Sequence, residues 1–300
     1  MTIFELTARF NTEESCRADF KLRRESKGIY CKKCGCSKHY WLSKRYQWEC
    51  SECKFRTGLR SGTFMEHAKL PFLLWYRAMI LISFSKKGLS SLEIKRQLGQ
   101  KRYESTWAMV HKIRKAMAKS NEEEQLKGTI EFDEGYFSVS SPQKMKNKRG
   151  RGSKKKAKVA VMAESVPLED PISGHQFNWV GKFKMNVLEG HEMNKIDELL
   201  VRKIDNQSVL ITDKSTSYQN IKHKFDHEMK LSEEHNLNKS LKWVHIGISN
   251  AKRKLLGINH KIKREYLQNY LDEFCFKINR RKDSQPLIDS LINAVSLNYL

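Results

Sequence analysis

The sequence is short of acidic residues. Its 300 residues include 34 Asp and Glu against 57 Lys and Arg, which gives a formal net charge of +23 and a pI of about 9.7. A chain this basic favours a polyanionic partner, because neutralising phosphates releases condensed counterions. We therefore expect double-stranded DNA as the partner. The basic residues are spread along the chain and do not gather on one amphipathic helix, which disfavours a membrane surface.

The sequence also lacks a long apolar run. Its most apolar stretch, 70–84, contains Tyr76 and Arg77 and is shorter than the roughly 20 residues that a transmembrane helix needs. The first residues, Met-Thr-Ile-Phe-Glu-Leu, have neither the basic start nor the apolar run of a signal peptide. Both absences predict a cytoplasmic protein.

Cysteine is too sparse for a disulfide framework, because three of the seven cysteines are scattered. The other four form two CxxC pairs with fifteen residues between them: Cys31, Cys34, Cys50 and Cys53. Two such turns suit a tetrahedral structural Zn²⁺ site. We expect a zinc ribbon over 29–60, after a polar segment over 1–28. Cys36 lies too close to its neighbour to be a fifth ligand, and four unmetallated core thiols are the alternative.

Residues 69–119 have helical periodicity. Pro71 fits the first turn of one helix. Ser90-Ser-Leu-Glu93 has the form of a capping box that opens a short second helix. Gly99 makes a turn before a longer amphipathic helix over 105–117. A short helix, a turn and a longer basic helix predict a helix-turn-helix for DNA, with an ordinary helical pair as the alternative.

After a predicted linker at 120–127, the pattern becomes mixed α and β. We predict strands at 129–137, 158–164, 176–184 and 208–212, and helices at 191–203, 214–224, 248–256, 264–280 and 285–298. Three strands, a helix, a strand and a helix follow the order of a ribonuclease H-like fold. The fold class is thus α+β or α/β and multidomain, with a catalytic domain at 128–281 and a C-terminal helix within 282–300. Between the first two strands, nine of the fifteen residues of Lys144–Lys158 are Lys or Arg, and we expect this loop to hold phosphates.

Two aspartates stand where a metal-dependent phosphodiester reaction would need them. Asp133 lies in the alternating segment Thr129–Phe137, and Asp213 follows an apolar strand. Two-metal cleavage takes oxygen ligands from separate segments, although an aspartate at the start of a helix is often only an N-cap. Glu131 shares the strand face of Asp133 and Glu134 points the other way. Either glutamate could be an ordinary surface acid.

A third carboxylate is missing where one would be expected, because no Glu lies between Glu234 and Glu265. His245 and Asn250 are the candidates in its place. An imidazole binds divalent metals but suits Mg²⁺ less than oxygen does. His245 shares a helix face with Lys252, whereas Asn250 lies about 140° around the helix. A polar helix face that grips phosphate is the alternative for both candidates.

Together these motifs resemble a bacterial insertion-sequence transposase of the ISXO-like DDE type. The matching stretches, in order, are Cys31–Cys53, Lys86–Ser90, Glu131–Tyr136, Gly150–Lys156, Thr212–Tyr218 and Tyr270–Arg281. The resemblance covers nearly the whole chain, and the order and spacing of the motifs make it specific. It implies a zinc ribbon, a helix-turn-helix region and a ribonuclease H-like catalytic domain.

The resemblance also implies roles for single residues. Asp133 and Asp213 become the catalytic aspartates that hold Mg²⁺ or Mn²⁺, His245 takes the position usually held by Glu, and Lys252 is the lysine seven residues later. The implied activity is binding of the element's inverted-repeat ends, strand cleavage that frees a 3′-hydroxyl, and transfer to target DNA. A homodimer or higher oligomer on DNA and a place at the bacterial nucleoid are implied as well.

Two other functions fit the same residues. A binding-only DNA regulator or a catalytically inactive transposase remnant is favoured by the missing Glu and opposed by the two aspartates. A zinc-dependent nuclease that performs no strand transfer is the other hypothesis.

Overall fold

The protein divides into two compact units. The structure is a computed structural model that describes residues 1–122, 124–140, 155–169, 174–188, 193–213, 225–229, 241–260, 262–281 and 287–296. The first unit comprises 1–119 together with 283–300, and the second comprises 120–282. No helix in these ranges is long and apolar enough to cross a membrane.

The first unit combines helices with a small antiparallel sheet. Its elements are α1 (Ile3–Arg9), α2 (Glu13–Ser26), β1 (His39–Leu42), β2 (Gln47–Cys50), β3 (Arg56–Gly58), α3 (Phe72–Phe84), α4 (Ser91–Gln97), α5 (Tyr103–Glu122) and, near the C-terminus, α9 (Leu287–Ser296). The sheet has the order β1-β2-β3. Arg23 joins α2 to α9 by an ion pair of 2.6 Å with Asp289. The helix predicted within 282–300 therefore belongs to this unit.

Local signals explain where these helices begin. Pro71 directly precedes α3, and the Ser90 hydroxyl accepts a hydrogen bond of 3.1 Å from the Glu93 backbone N–H at the start of α4. Gly99 takes a φ of +61° in the turn that follows α4. The helices predicted between 69 and 119 are confirmed, while their role as a DNA-binding helix-turn-helix stays a prediction.

The second unit is a mixed five-stranded sheet with helices on both faces. Its elements are β4 (Thr129–Ser138), β5 (Lys156–Glu169), β6 (Gln176–Val187), α6 (Met193–Lys203), β7 (Val209–Thr212), β8 (Asp226–Met229), α7 (Lys242–Asn259) and α8 (Arg264–Asn279). The strand order is β6-β5-β4-β7-β8. The first three strands are antiparallel neighbours, and β7 and β8 run parallel to β4. This is the ribonuclease H-like arrangement, so the predicted fold class is confirmed.

Alternation along β4 divides the core between the two faces. Ile130 and Phe132 pack with Leu200 of α6, and all three are fully buried. Phe137 points to the other face, where it packs with Val244 of α7 and Leu271 of α8. The face of β4 that carries Glu131, Asp133 and Phe137 is therefore the face covered by α7.

Several expectations need correction. The segment 120–127 is not simply a linker, because 120–122 complete α5 and Leu126 is fully buried in the core of the second unit. Strand β5 begins at Lys156, inside the segment predicted to be a basic loop. The short strand β8 was not predicted. The helix predicted at 214–224 and the basic residues at 144–154 lie outside the described residues.

Candidate metal centres

The four paired cysteines come together in the first unit. Their sulfur atoms all lie within 4.8 Å of one another, with Cys31 3.4 Å from Cys53 and Cys34 3.5 Å from Cys50. A tetrahedral site with Zn–S bonds of about 2.3 Å places its sulfurs roughly 3.8 Å apart. The cluster therefore fits a zinc ribbon.

The remaining cysteine near this cluster does not join it. The Cys36 sulfur lies 3.6 Å from the Ser51 hydroxyl and accepts a hydrogen bond of 3.3 Å from the Lys38 backbone N–H. In the described ranges, no second group of three or more His, Cys, Asp or Glu side chains is drawn together as these four thiols are.

The sheet of the second unit brings together the two chain segments that carry the predicted aspartates. Strands β4 and β7 are parallel neighbours whose register ends with Phe132 opposite Thr212. Asp133 is the next residue on β4, and Asp213 directly follows the last residue of β7, so both lie just beyond the same end of the paired segment. Two carboxylates at neighbouring strand positions can share a cation, and an uncompensated pair would repel.

His245 reaches Asp133 from α7, the helix that covers this face of the sheet. It occupies the first turn of α7, and its Nε2 is 3.3 Å from Oδ2 of Asp133. The hydrogen bond to Asp133 raises the pKa of His245, and this effect outweighs the partial burial of the ring. The negative charges of Asp133, Glu131 and Asp213 raise the pKa of His245 further. A divalent metal at this position would have to displace the proton that Asp133 and His245 share.

The two glutamates of β4 differ in role. Glu131 is 4% exposed, and its Oε2 accepts hydrogen bonds from the backbone N–H groups of Trp243 at 2.7 Å and Val244 at 3.1 Å. The possibility of an ordinary surface acid is therefore wrong for Glu131. Glu134 lies on the opposite face and forms an ion pair of 2.6 Å with Lys158. Lys158 thus neutralises a carboxylate of the sheet and is not a loop lysine available to bind phosphate.

The other predicted residues of α7 stand further from the aspartates. Lys252 is exposed, and its Nζ lies 5.6 Å from the centre of the Phe137 ring. Phe137 is on the same face of β4 as Asp133, four residues further along the strand. Asn250 accepts a hydrogen bond of 2.8 Å from Arg253 through its side-chain oxygen. The structure thus pairs His245 with Asp133, leaves Asp213 one residue beyond the end of β7, keeps Lys252 on the adjoining surface and pairs Asn250 locally.

A basic groove lies in the first unit. It has a volume of about 740 Å³, and its lining includes Arg17, Arg45, Arg60 and Lys69. Glu13 sits inside it, and its carboxylate accepts hydrogen bonds from the first two backbone N–H groups of α3. The groove therefore keeps a net positive charge after its one carboxylate is counted.

The sheet order defines a ribonuclease H-like domain, and the contact between Asp133 and His245 marks its candidate site. The family model of the ISXO2-like transposase domain matches residues 125–279. The chain belongs to this transposase family. No curated protein matches the sequence significantly.

Among the similar solved structures are three crystal structures of Mos1. The Mos1 strand transfer complex is 10% identical over 75% of this chain and 78% of that chain, with a TM-score of 0.29. The Mos1 mariner paired end complex with Mn is 10% identical over 72% and 76%, with a TM-score of 0.28. The pre-cleavage Mos1 transpososome is 9% identical over 70% and 75%, with a TM-score of 0.25. Likeness of this degree supports no conclusion about function.

Proposed function

We propose that this protein is a DNA transposase that binds the inverted-repeat ends of its insertion sequence and catalyses metal-dependent strand cleavage and strand transfer. The observation that carries the proposal is the contact of 3.3 Å between His245 and Asp133, at the end of β4 where its parallel register with β7 stops one residue before Asp133 and Asp213. Family membership supports the reaction class, and two aspartates with a histidine are the kinds of group that such a reaction needs.

Asp133, Asp213 and His245 are the residues that would hold Mg²⁺ or Mn²⁺. Carboxylate oxygens suit both ions, and the imidazole suits Mn²⁺ better than Mg²⁺. When bound, the ions activate the attacking oxygen and stabilise the leaving one. Asp133 already accepts a hydrogen bond of 2.6 Å from the Glu134 backbone N–H through Oδ1, which fixes the direction of its carboxylate. Lys252 contributes a positive charge for a phosphate along the same face.

The first unit would supply end recognition. Its basic groove, ribbon and α4–α5 pair offer cations for phosphates and a helix for base edges. The N-terminal turn of α5 is exposed at Arg102 and Tyr103, as a reading helix requires. Structural Zn²⁺ would hold the ribbon. Because both element ends must be processed together, we propose a homodimer or higher oligomer on DNA.

A binding-only regulator or an inactive transposase remnant is the second candidate. It is favoured by His245 at the position where the family usually has Glu, since an imidazole brings no negative charge to the metal. A zinc-dependent nuclease without strand transfer is a third candidate.

The test uses the DNA that flanks the reading frame. We expect it to carry short inverted repeats, and the purified protein should shift duplexes of those repeats and cut them at the element boundary with Mg²⁺ or Mn²⁺. Binding without cleavage under either metal would support the regulator or remnant. Cleavage without joining to a second duplex would support the nuclease.

A further inference from the structure

Helix α7 begins without a cap of its own. Its N-cap position is Leu241, whose side chain accepts no hydrogen bond. The first N–H groups of a helix need acceptors, and an N-cap side chain ordinarily serves those of the second and third helical residues. In α7 these residues are Trp243 and Val244. Glu131, 112 residues earlier in the chain, accepts from both through one oxygen at 2.7 and 3.1 Å.

This remote cap lies directly beside the candidate metal centre. Glu131 precedes Asp133 by two residues and so shares its face of β4. Trp243 precedes His245 by two residues in the first turn of α7. The cap therefore ties the turn that carries His245 to the strand that carries Asp133. It also places a buried carboxylate at the positive end of the helix, where a negative charge is favoured.

Two glycines bring α7 close enough to the sheet for the cap to form. A Cβ at Gly247 would stand 2.5 Å from a ring carbon of Phe183 on β6, and a Cβ at Gly135 of β4 would stand 3.3 Å from Ile248. Such approaches leave no room for a larger side chain at either position. The position of α7 is thus set by close packing along its body and by Glu131 at its end.

We propose that Glu131 is a positioning residue: it caps α7 from the sheet and so holds His245 in register with Asp133. It acts through the helix and not as a metal ligand, because its Oε2 is engaged by two backbone N–H groups. The consequences for metal affinity and catalysis rest on the proposed function, whereas the effect on the helix does not. Groups that orient metal ligands typically change metal affinity or activity 10–100-fold when they are removed.

The test compares two substitutions in the full chain. Glu131→Gln keeps a side-chain carbonyl that can accept both hydrogen bonds, and Glu131→Met keeps a similar volume without an equivalent acceptor. We expect Glu131→Met to speed hydrogen exchange of the Trp243 and Val244 amides at least ~10-fold and to weaken Mn²⁺ affinity and end cleavage by ~10-fold or more. We expect Glu131→Gln to stay within ~3-fold of the unaltered protein in Mn²⁺ affinity and cleavage, since it loses charge but not the cap.

Two results would overturn the proposal. One is unchanged exchange of the Trp243 and Val244 amides in Glu131→Met. The other is a loss of Mn²⁺ affinity in Glu131→Gln as large as in Asp133→Asn, because that result would make Glu131 a ligand. If the unaltered protein binds Mn²⁺ but cuts no DNA, the proposed function fails, and the exchange measurement still decides the role of Glu131.

A second variant covers the case in which Glu131→Met does not fold. Gly247→Ala leaves Glu131 in place but forces α7 away from Phe183. If the position of α7 sets the site, Gly247→Ala should weaken Mn²⁺ affinity ~10-fold while zinc content and DNA binding stay unchanged. Unchanged Mn²⁺ affinity in Gly247→Ala would contradict the proposal.

Discussion

Removing the metal from the ribbon should unfold it. The ribbon contains strands of four, four and three residues. Ordering that many residues costs on the order of 10–20 kcal/mol. Burial of apolar side chains contributes little, because only Trp48, Cys50 and Thr57 are buried among the residues of these strands. A structural Zn²⁺ site contributes about 10–16 kcal/mol, which is enough to offset the ordering cost.

The perturbation is Cys50→Ser, and its matched control is Cys36→Ser. Cys50 is fully buried within the four-thiol cluster, whereas Cys36 lies outside it and contacts Ser51. We expect the unaltered protein and Cys36→Ser to hold one zinc per chain against a mild chelator, and Cys50→Ser to lose it. Elemental analysis gives the zinc content, and hydrogen exchange over 39–58 reports whether the strands remain paired.

Either of two results would refute this reasoning. If the unaltered protein holds no zinc, the thiols are unmetallated core residues and the 3.4–3.5 Å sulfur spacing has another cause. If Cys50→Ser retains both its zinc and its strand protection, the metal is not what holds the ribbon.

Three further outcomes are expected. Burial raises the pKa of Asp272 to about 7, so the folded state holds a proton that the unfolded state releases above about pH 4, and stability falls as pH rises from there to about 7. Asp272→Asn should therefore raise the free energy of unfolding in urea by about 2 kcal/mol above pH 7, which is half the value for a fully buried group because Asp272 is part-exposed. Near pH 3 the substitution should have no effect. Equal effects at both pH values would contradict the raised pKa of Asp272. Neutralising the three lysines at 154–156 should weaken binding to all duplexes alike. The slope of log binding constant against log salt concentration should become shallower by about 0.9 per lost phosphate contact. A loss of binding confined to one sequence would indicate base readout instead. His245→Ala should impair cleavage and His245→Glu should retain it if the position is a ligand, whereas an inactive Asn250→Ala beside an active His245→Ala would move the third ligand to Asn250.

Much of the fold was predictable because its signals are local. The paired cysteines, Ser90 at the start of α4 and the alternation along β4 each depend on neighbours a few residues apart. The strand β8 escaped prediction because its four residues, Asp-His-Glu-Met, are mostly polar and lack the alternation that marks a strand.

The site was predictable only in part, because its decisive contacts join distant residues. The aspartates could be named from the sequence, whereas the register that brings the ends of β4 and β7 to the same place comes from the sheet. The role of Glu131 could not be, since a cap supplied from 112 residues away leaves no local pattern. Lys158 was misplaced because a run of lysines predicts a solvated loop, while the partner that accounts for its burial, Glu134, lies on the neighbouring strand.

The proposed function depends on Asp133 as a residue that holds a metal for DNA cleavage. It is tested by Mn²⁺-dependent cutting of duplex element ends by Asp133→Asn, with Glu134→Gln as the control from the opposite face of the same strand. We expect Asp133→Asn to bind the ends as the unaltered protein does but to cut none of them, because an amide keeps the shape and loses the negative charge. Glu134→Gln should still cut. Cleavage by Asp133→Asn at the unaltered rate would show that Asp133 holds no metal for the reaction.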